Sequence, residues 1–359
     1  MRSTKKTAGL FVPAALCLAA IFLVASCRVP EPEPSTRLPY DPHLDGWRPA
    51  SWQPFDAADT ITGFAFGGGR YVAVSDTGRI GWSADGDRWF LAATDSHPGS
   101  LRAVTFGGGV FVAIGTGGLF ARSLDGENWI VEGMQGLDGE GIFGVAYGGG
   151  TFVAVGANAW ISVSFNGIDW TGGMVPAFSG VQLNDVAFCG QYRRFFVVGN
   201  GGNRGWSDDP ADPGEWRHQG PTPPVNMANI TRVTVGRYGG GIGIGMVFAG
   251  NVAVATSAYS FAGFGPAIAN FMFRGNSVNG LAWGGRFDEN GDYRGYFVSG
   301  GTAAMIGFWP SCEPGRTSER FWRALTLPEF LMWEITAVAA MNGRFFVGST
   351  HGGRIAYSR

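Results

Sequence analysis

Residues 64–74 read FAFGGGRYVAV: an apolar run, three glycines and a second apolar run. A glycine-rich loop between apolar segments can cradle phosphate, but that chemistry needs GxxxxGK followed by Ser or Thr and a helix opening at that point. Here Gly69 is followed by Arg70, Tyr71 and Val72, and the alternation of a strand resumes at once. The pattern also recurs, as VTFGGGVFVAI from Val104, VAYGGGTFVAV from Val145 and VAFCGQYRRFFVV from Val186. Weaker copies begin at Leu281 and Val338. One cofactor loop does not repeat in this way. The triple glycine reads as a hairpin turn, glycine taking positive φ without a Cβ penalty.

Aligning the copies places first strands near Ile61, Leu101, Ile142, Leu183, Ile230, Val278 and Ile335, at steps of 40, 41, 41, 47, 48 and 57 residues. A period near forty with several short strands per unit predicts propeller blades. In each unit strand A is V-A-F/Y, the glycines turn, strand B is F-V-A-V-G, and strand C (RIGWS at Arg79) leads through a tight turn to strand D. The expectation is all-β: a seven-bladed propeller of four-stranded antiparallel blades over residues 44–359. The final copy stops at IAYSR without a DG turn or tryptophan, whereas LDGW at residues 44–47 supplies both. An N-terminal strand completing the last blade would close the ring and remove its open edges. Blade five, from Ile230, lacks the turn signature and tryptophan. Blade six carries insertions, and failure of either would reduce the count to six.

Each early blade ends on SADGDRW (Ser83), SLDGENW (Ser123) or SFNGIDW (Ser164), with a lengthened SDDPADPGEW at Ser207. This S-x-[DN]-G-x-x-W pattern resembles the Asp-box, or bacterial neuraminidase repeat. Asp-Gly suits a two-residue hairpin turn, and the carboxylate can accept nearby N–H groups. Asp85, Asp125 and Asn166, with Trp89, Trp129, Trp170 and Trp216, are therefore read as structural repeat residues, the tryptophans filling the space between blades. The resemblance covers nearly all of the chain after the leader and implies a fold; Asp-box propellers include sialidases, sortilin-like receptors and the photosystem II assembly factor. The sialidase FRIP-type motif is absent.

Residues 1–26 read as a signal peptide: Arg2, Lys5 and Lys6 precede an uncharged apolar stretch from Ala8 to Val24. Val24-Ala25-Ser26-Cys27 resembles a lipobox with valine in place of the usual leucine, which implies lipid attachment at Cys27; an ordinary signal peptide or a retained anchor are the alternatives. Residues 27–43 are a proline-rich tether. The expected location is the bacterial cell envelope, anchored in a membrane through the N-terminal lipid. Loss of the leader leaves 23 arginines against 28 acidic residues, a formal balance of −5 that argues against nucleic acid. Cys189 and Cys312 are the remaining thiols, paired or free.

No catalytic constellation is found, and no cofactor or metal site is expected. Histidines at 43, 97, 218 and 351 show no metal spacing, and Asp288-Glu289-Asn290-Gly291-Asp292 lacks the glutamate of a calcium loop. The D–A loops are apolar: TGGMVPAFSGVQ from Thr171, SFAGFGPAIANFMF from Ser260 and RALTLPEFLMW from Arg323. Met174, Phe178, Phe264 and Trp333 from these loops, with Asp76, Asn158, Asn200 and His351 from B–C loops, form the candidate ligand face. Its apolar members either cap the core or bind a protein or glycan partner. The leading expectation is a monomeric binding or scaffold module. A glycan-active hydrolase or lyase and an envelope assembly factor are the other readings.

Overall fold

Alternating apolar residues separated by glycine turns give short strands, and in the computed structural model the strands fall among the described residues into seven sheets. Described are residues 46–134, 141–221, 229–238, 241–248, 254–260, 263–270, 278–287, 293–301, 305–310, 323–326, 334–350 and 352–358. The first strands, A, of sheets 1 to 7 are Ile61–Gly67, Leu101–Gly107, Ile142–Gly148, Leu183–Cys189, Ile230–Tyr238, Val278–Phe287 and Ile335–Met341. They begin at the seven expected residues. Sheet 1 continues antiparallel through B (Arg70–Ser75), C (Ile80–Ser83) and D (Phe90–Leu91), and sheets 3 to 6 repeat this order. Sheet 5 has its four strands despite the missing turn signature.

Sheet 7 takes its outer strand from the other end of the chain. Arg48–Pro49 pairs antiparallel with Ile355–Tyr357, Arg48 opposite Tyr357 and Pro49 opposite Ala356. In sheet 1 the equivalent partner of Trp82 is Phe90, so Trp47 occupies the register position of Trp89 and, like it, is buried. The segment then crosses to sheet 1: Ser51 bonds Asp87, and the Trp89 N–H donates to the Trp52 carbonyl at 2.9 Å. The same crossover recurs one sheet on, where Ala93–Thr94 adds to sheet 2 as a parallel fifth strand.

The three glycines divide their work. Gly67 pairs with Arg70, leaving Gly68 and Gly69 (φ 55° and 76°) as the two-residue turn. Gly67 itself is a packing residue: a Cβ there would overlap the Phe106 ring of the next sheet, and Gly107 and Gly148 receive Tyr147 and Phe188 in the same way. The sheets are thereby keyed together. Each A strand packs against the next, from sheet 1 to sheet 7, and that of sheet 7 packs against that of sheet 1. The core lies between sheets, with Trp129 among residues of sheets 1 and 2 and Trp89 against Phe64 and Phe346 of sheets 1 and 7.

The Asp-Gly connection is longer than a two-residue hairpin. Trp82 pairs with Phe90, so residues 83–89 form the loop, and only Gly86 (φ 80°) takes positive φ. Ser83 Oγ accepts the Gly86 N–H at 2.8 Å, while Asp85 Oδ1 accepts the Asp87 and Arg88 N–H groups at 2.8 and 2.9 Å. The Trp89 indole N–H donates to the Gly86 carbonyl at 3.0 Å. Ser123, Asp125, Gly126 and Trp129 repeat these bonds, and Asn166 replaces the carboxylate in the third copy. Trp170 packs edge-on against Phe120 and tilted against Phe152 without an indole acceptor, and the Trp216 indole reaches the Pro210 carbonyl at 3.3 Å. Desolvation raises the Asp125 pKa, but N–H donors from Asn128 and Glu127, the Asn128 amide and the Ser123 hydroxyl outweigh it and lower the value to about 2. Cys189 is a free, buried thiol; Cys312 lies outside the described residues.

Replacing Asp125 by alanine should cost about 1 kcal/mol at neutral pH, as loss of a cap does. The folded carboxyl titrates near 2, against ~3.9 unfolded. Its contribution is therefore present above about pH 4 and lost as pH falls toward 2. Urea melts of both proteins across that range check this: the gap should close at the acid end.

Candidate functional site

Strand A does not enter its sheet smoothly. In all seven A–B pairs the register shifts across the second residue: Ile61/Gly63, Leu101/Ala103, Ile142/Gly144, Leu183/Asp185, Ile230/Arg232, Val278/Gly280 and Ile335/Ala337. A β-bulge re-aims the side chain it inserts. Thr62, Arg102, Phe143, Asn184 and Thr231, the bulged residues of sheets 1 to 5, surround one cavity of about 160 Å³, joined by Arg232. Five sheets contributing the same position to one cavity place it where the A strands converge, at the end carrying the D–A and B–C loops.

Several bulge residues also stitch neighbouring sheets. Thr62 Oγ1 donates to the Leu101 carbonyl at 3.0 Å, Asn184 Nδ2 to that of Ile230 at 2.7 Å and Thr336 Oγ1 to that of Ile61 at 2.6 Å. Asn279 Nδ2 lies 3.2 Å from the Ile335 carbonyl. In each case the acceptor is the first residue of the next A strand.

The B–C loops support this ring. The Asp76 N–H donates to the Thr60 carbonyl at 3.0 Å, and the Asp76 carboxylate accepts the Thr60 N–H at 2.8 Å. The Asn200 N–H donates to the Gln182 carbonyl at 3.0 Å, and its Oδ1 accepts from Asn184 at 2.9 Å. Asn158 holds a left-handed corner (φ 52°, ψ 40°) where the equivalent loops have Gly117 and Gly201. Of the expected ligand-face residues, Asn200 thus reaches the cavity wall through Asn184, and Asp76 clamps the strand entrance. Met174 is more than half exposed at the end of strand D.

Phe178 corrects the sequence reading. It is wholly buried because Pro176–Phe178 folds as a 3-10 turn that presses its ring onto Trp216 (6.0 Å) and His218 (5.2 Å), so it caps the core and faces no ligand. Phe264 lies in a strand of sheet 5, paired with Tyr259. Cys27, Trp333 and His351 lie outside the described residues.

Asp185, third in strand A of sheet 4, was not singled out by the sequence. Its carboxylate accepts the Val186 and Val233 N–H groups, both at 2.9 Å. Desolvation pushes its pKa up to about 6 against the opposing pull of Arg232 and those two N–H groups. No motif marks it. Its only sequence signal is a charge at a position that is glycine or alanine in five copies.

A larger cavity of about 470 Å³ lies beside sheet 1, lined among others by Asp56, Asp59, Thr77, Arg79 and His97. Asp59 is fully buried and accepts from the Asp56 N–H (2.7 Å), the Ser75 hydroxyl (3.2 Å), the Thr77 hydroxyl and Arg79 (3.1 Å). Arg79 also pairs with Asp56 at 2.6 Å. Four donors use the capacity of the Asp59 carboxylate, which makes it a lock on the crossover loop. Among the described residues no group of three or more His, Cys, Asp or Glu is placed to hold a metal ion.

No family model and no curated protein sequence matches the chain. Solved structures do. YCF48 from Cyanidioschyzon merolae is similar at 16% identity and a TM-score of 0.61, over 87% of this chain and 98% of that one. YCF48 bound to D1 peptide gives 14% and 0.62, over 89% and 96%. The WD40 β-propeller domain of Doa1 gives 12% and 0.58, over 85% and 97%. Virginiamycin B lyase from Staphylococcus aureus, a catalytically inactive variant with quinupristin, gives 10% and 0.67, over 87% and 98%. These likenesses define the class: the chain has a β-propeller fold.

Asp185→Asn tests the partly buried carboxyl. An acid at about 6 when folded, against ~3.9 unfolded, keeps its proton in the folded state only. It therefore makes stability fall as pH rises from about 4 to about 6. The melting temperature of the variant, measured relative to the natural protein, should climb over that interval; a pH-independent difference would contradict the assignment.

Proposed function

We propose that the chain is a binding module: a closed seven-bladed propeller that holds a protein partner at the axial mouth of its loop face. The observation that carries this is the cavity built from one bulged residue of each of five sheets. Among the described residues the cavity lining includes no carboxylate, and two acids at the strand entrances, Asp76 and Glu334, are bound to the Thr60 N–H and to Asn279. Seven sheets, the packing of their A strands from first to last and back, and the pairing of Arg48–Pro49 with Ile355–Tyr357 support seven blades and closure by the N-terminal strand. YCF48, similar in fold, is recorded with a D1 peptide bound. A protein is favoured over a glycan by the small volume of the mouth and its two arginines. The partner is met at the bacterial envelope, where a lipid on Cys27 and the tether of residues 27–43 hold a single copy of the propeller near the membrane.

Site-specific photocrosslinking in intact cells checks this. A photoreactive residue at Ser100, beside the mouth, or at Met174 should give one discrete cross-linked protein. The same residue at Leu124 or Phe165, exposed in the C–D loops at the other end of the sheets, should not. Equal labelling from both ends, or none from Ser100 and Met174, would contradict the proposal, and sugar release from a glycan array would replace it with an enzyme.

A further inference from the structure

The mouth carries a charge pattern that a generic binding face does not require. The third residue of strand A is Gly63, Ala103, Gly144, Gly280 or Ala337 in five sheets, and Asp185 and Arg232 in the two adjacent ones. Arg102 and Arg232 both line the axial cavity. Unlike Arg70, Arg79, Arg122 and Arg194, neither makes a salt bridge to a carboxylate among the described residues.

The other polar groups are committed elsewhere. Thr62 Oγ1 serves the Leu101 and Val74 carbonyls, and Asn184 Nδ2 serves Ile230 and Asn200. The Asn184 Oδ1 accepts from Gln182. Arg232 spends one N–H on the Thr231 carbonyl at 3.2 Å, out of about five that a guanidinium offers. The guanidinium groups therefore hold the donor capacity that faces the cavity. With two arginines and no carboxylate among the described lining residues, the site favours an anion. At about 160 Å³, against roughly 300–1,000 Å³ for pockets that enclose a drug-sized ligand, it admits one side-chain-sized group, whose methylenes can lie on Phe143.

We propose that the axial mouth is a carboxylate-binding site in which Arg102 and Arg232 grip the ligand, and that Asp185 competes with the ligand for Arg232, so that binding tightens as Asp185 takes up a proton. This rests on the binding-module reading and specifies what that module holds: the carboxylate of an acidic peptide side chain or of a small free acid. Above about pH 6 the Asp185 charge draws on Arg232; below it, that claim is released. Among the described residues packed against Asp185 no other group titrates in competition; Glu334, whose carboxylate accepts from Asn279 at 3.0 Å, belongs to the sheet 6 and 7 side of the mouth. Strand A of sheet 3 presents Gly144, strand B of sheet 3 (Thr151–Gly156) carries no charge, and Arg194 on strand B of sheet 4 is engaged by Asp208. Strand A of sheet 5 contributes Arg232 itself.

The test is calorimetric titration of the full chain with three probes: a capped, amidated Gly-Glu-Gly peptide, its Gln counterpart, and glutarate. The Glu peptide should bind at least about tenfold more tightly than the Gln peptide, and gain about tenfold from about pH 7.5 to about pH 5.5, a coupling of ordinary size. Arg232→Gln should abolish the preference for Glu. Asp185→Asn should bind tightly at both pH values, which keeps the test decisive if the arginine variant folds poorly. Glutarate equal to the peptide would support the site and assign it to free acids; weaker glutarate would support an acidic protein segment. Equal binding of the Glu and Gln peptides, or silence with every acidic probe, would overturn the proposal, as would a pH dependence that survives in Asp185→Asn. Discrete crosslinking from Ser100 with silent acidic probes would sink the carboxylate site and leave the binding module standing.

Discussion

In sheets 1 to 4 and 7 the second strand is buried almost throughout, so both faces are apolar and no such sheet can bury itself; everything else depends on how one face is keyed to the next. The key is a size complementarity. Where strand A ends in glycine, at Gly67, Gly107 and Gly148, the following sheet supplies Phe106, Tyr147 or Phe188 to fill the space. Where it ends in Cys189, the residue opposite in sequence register is the smaller Val235. Trp89 and Trp129, after the Asp-Gly loops of sheets 1 and 2, fill the outer part of the same interface, each held in place by its own indole bond to the glycine carbonyl. A stack built this way needs a partner for its last face as much as for its first. That requirement makes the pairing of Arg48–Pro49 with Ile355–Tyr357 the seam of the molecule.

The inner edges follow from the same arrangement. Seven A strands packed side by side crowd at their first residues, and the bulge at position two relieves the crowding by turning one side chain per sheet inward. Three of those side chains bond the next strand's first carbonyl at 3.0 Å or less, so the mouth is rigid where it is made of Thr62, Asn184 and Thr336. On the proposed reading, Arg102 and Arg232 are the groups left to meet a ligand. A scaffold that freezes most of a ring while leaving two cations available is suited to recognition, since little ordering cost remains at binding.

Much of this was legible in the sequence because it repeats. The alternation around FAFGGGRYVAV located all seven A strands, and the DGW at residues 45–47 foretold where the N-terminal strand pairs. What stayed hidden has local physical causes. A bulge leaves Ile61-Thr62-Gly63 looking like ordinary alternation, so the residues at the mouth were missed while their B–C loop supports, Asp76 and Asn200, were found. Whether Phe178 capped the core or faced a ligand stayed open in the sequence because a 3-10 turn that folds a loop ring into the core has no periodicity. The lock of Asp59 on Arg79 joins a loop acid to a residue 20 positions on, a pairing that no local pattern announces. The Asp-Gly connection reads like a two-residue hairpin, yet its carboxylate caps the loop and only its glycine is left-handed.

The seam is the most direct place to test the account. Pro49→Cys combined with Ala356→Cys puts thiols on Cα partners of the two strands, within the geometry a disulfide requires. Mild oxidation followed by peptide mapping and a thermal melt reads the result. The account predicts a 49–356 bridge in the folded protein and stabilisation of a few kcal/mol, about 2–4 being typical of such a link. Two free thiols in a folded, cooperatively melting chain would mean that the ends do not meet, and the closed ring would have to be abandoned.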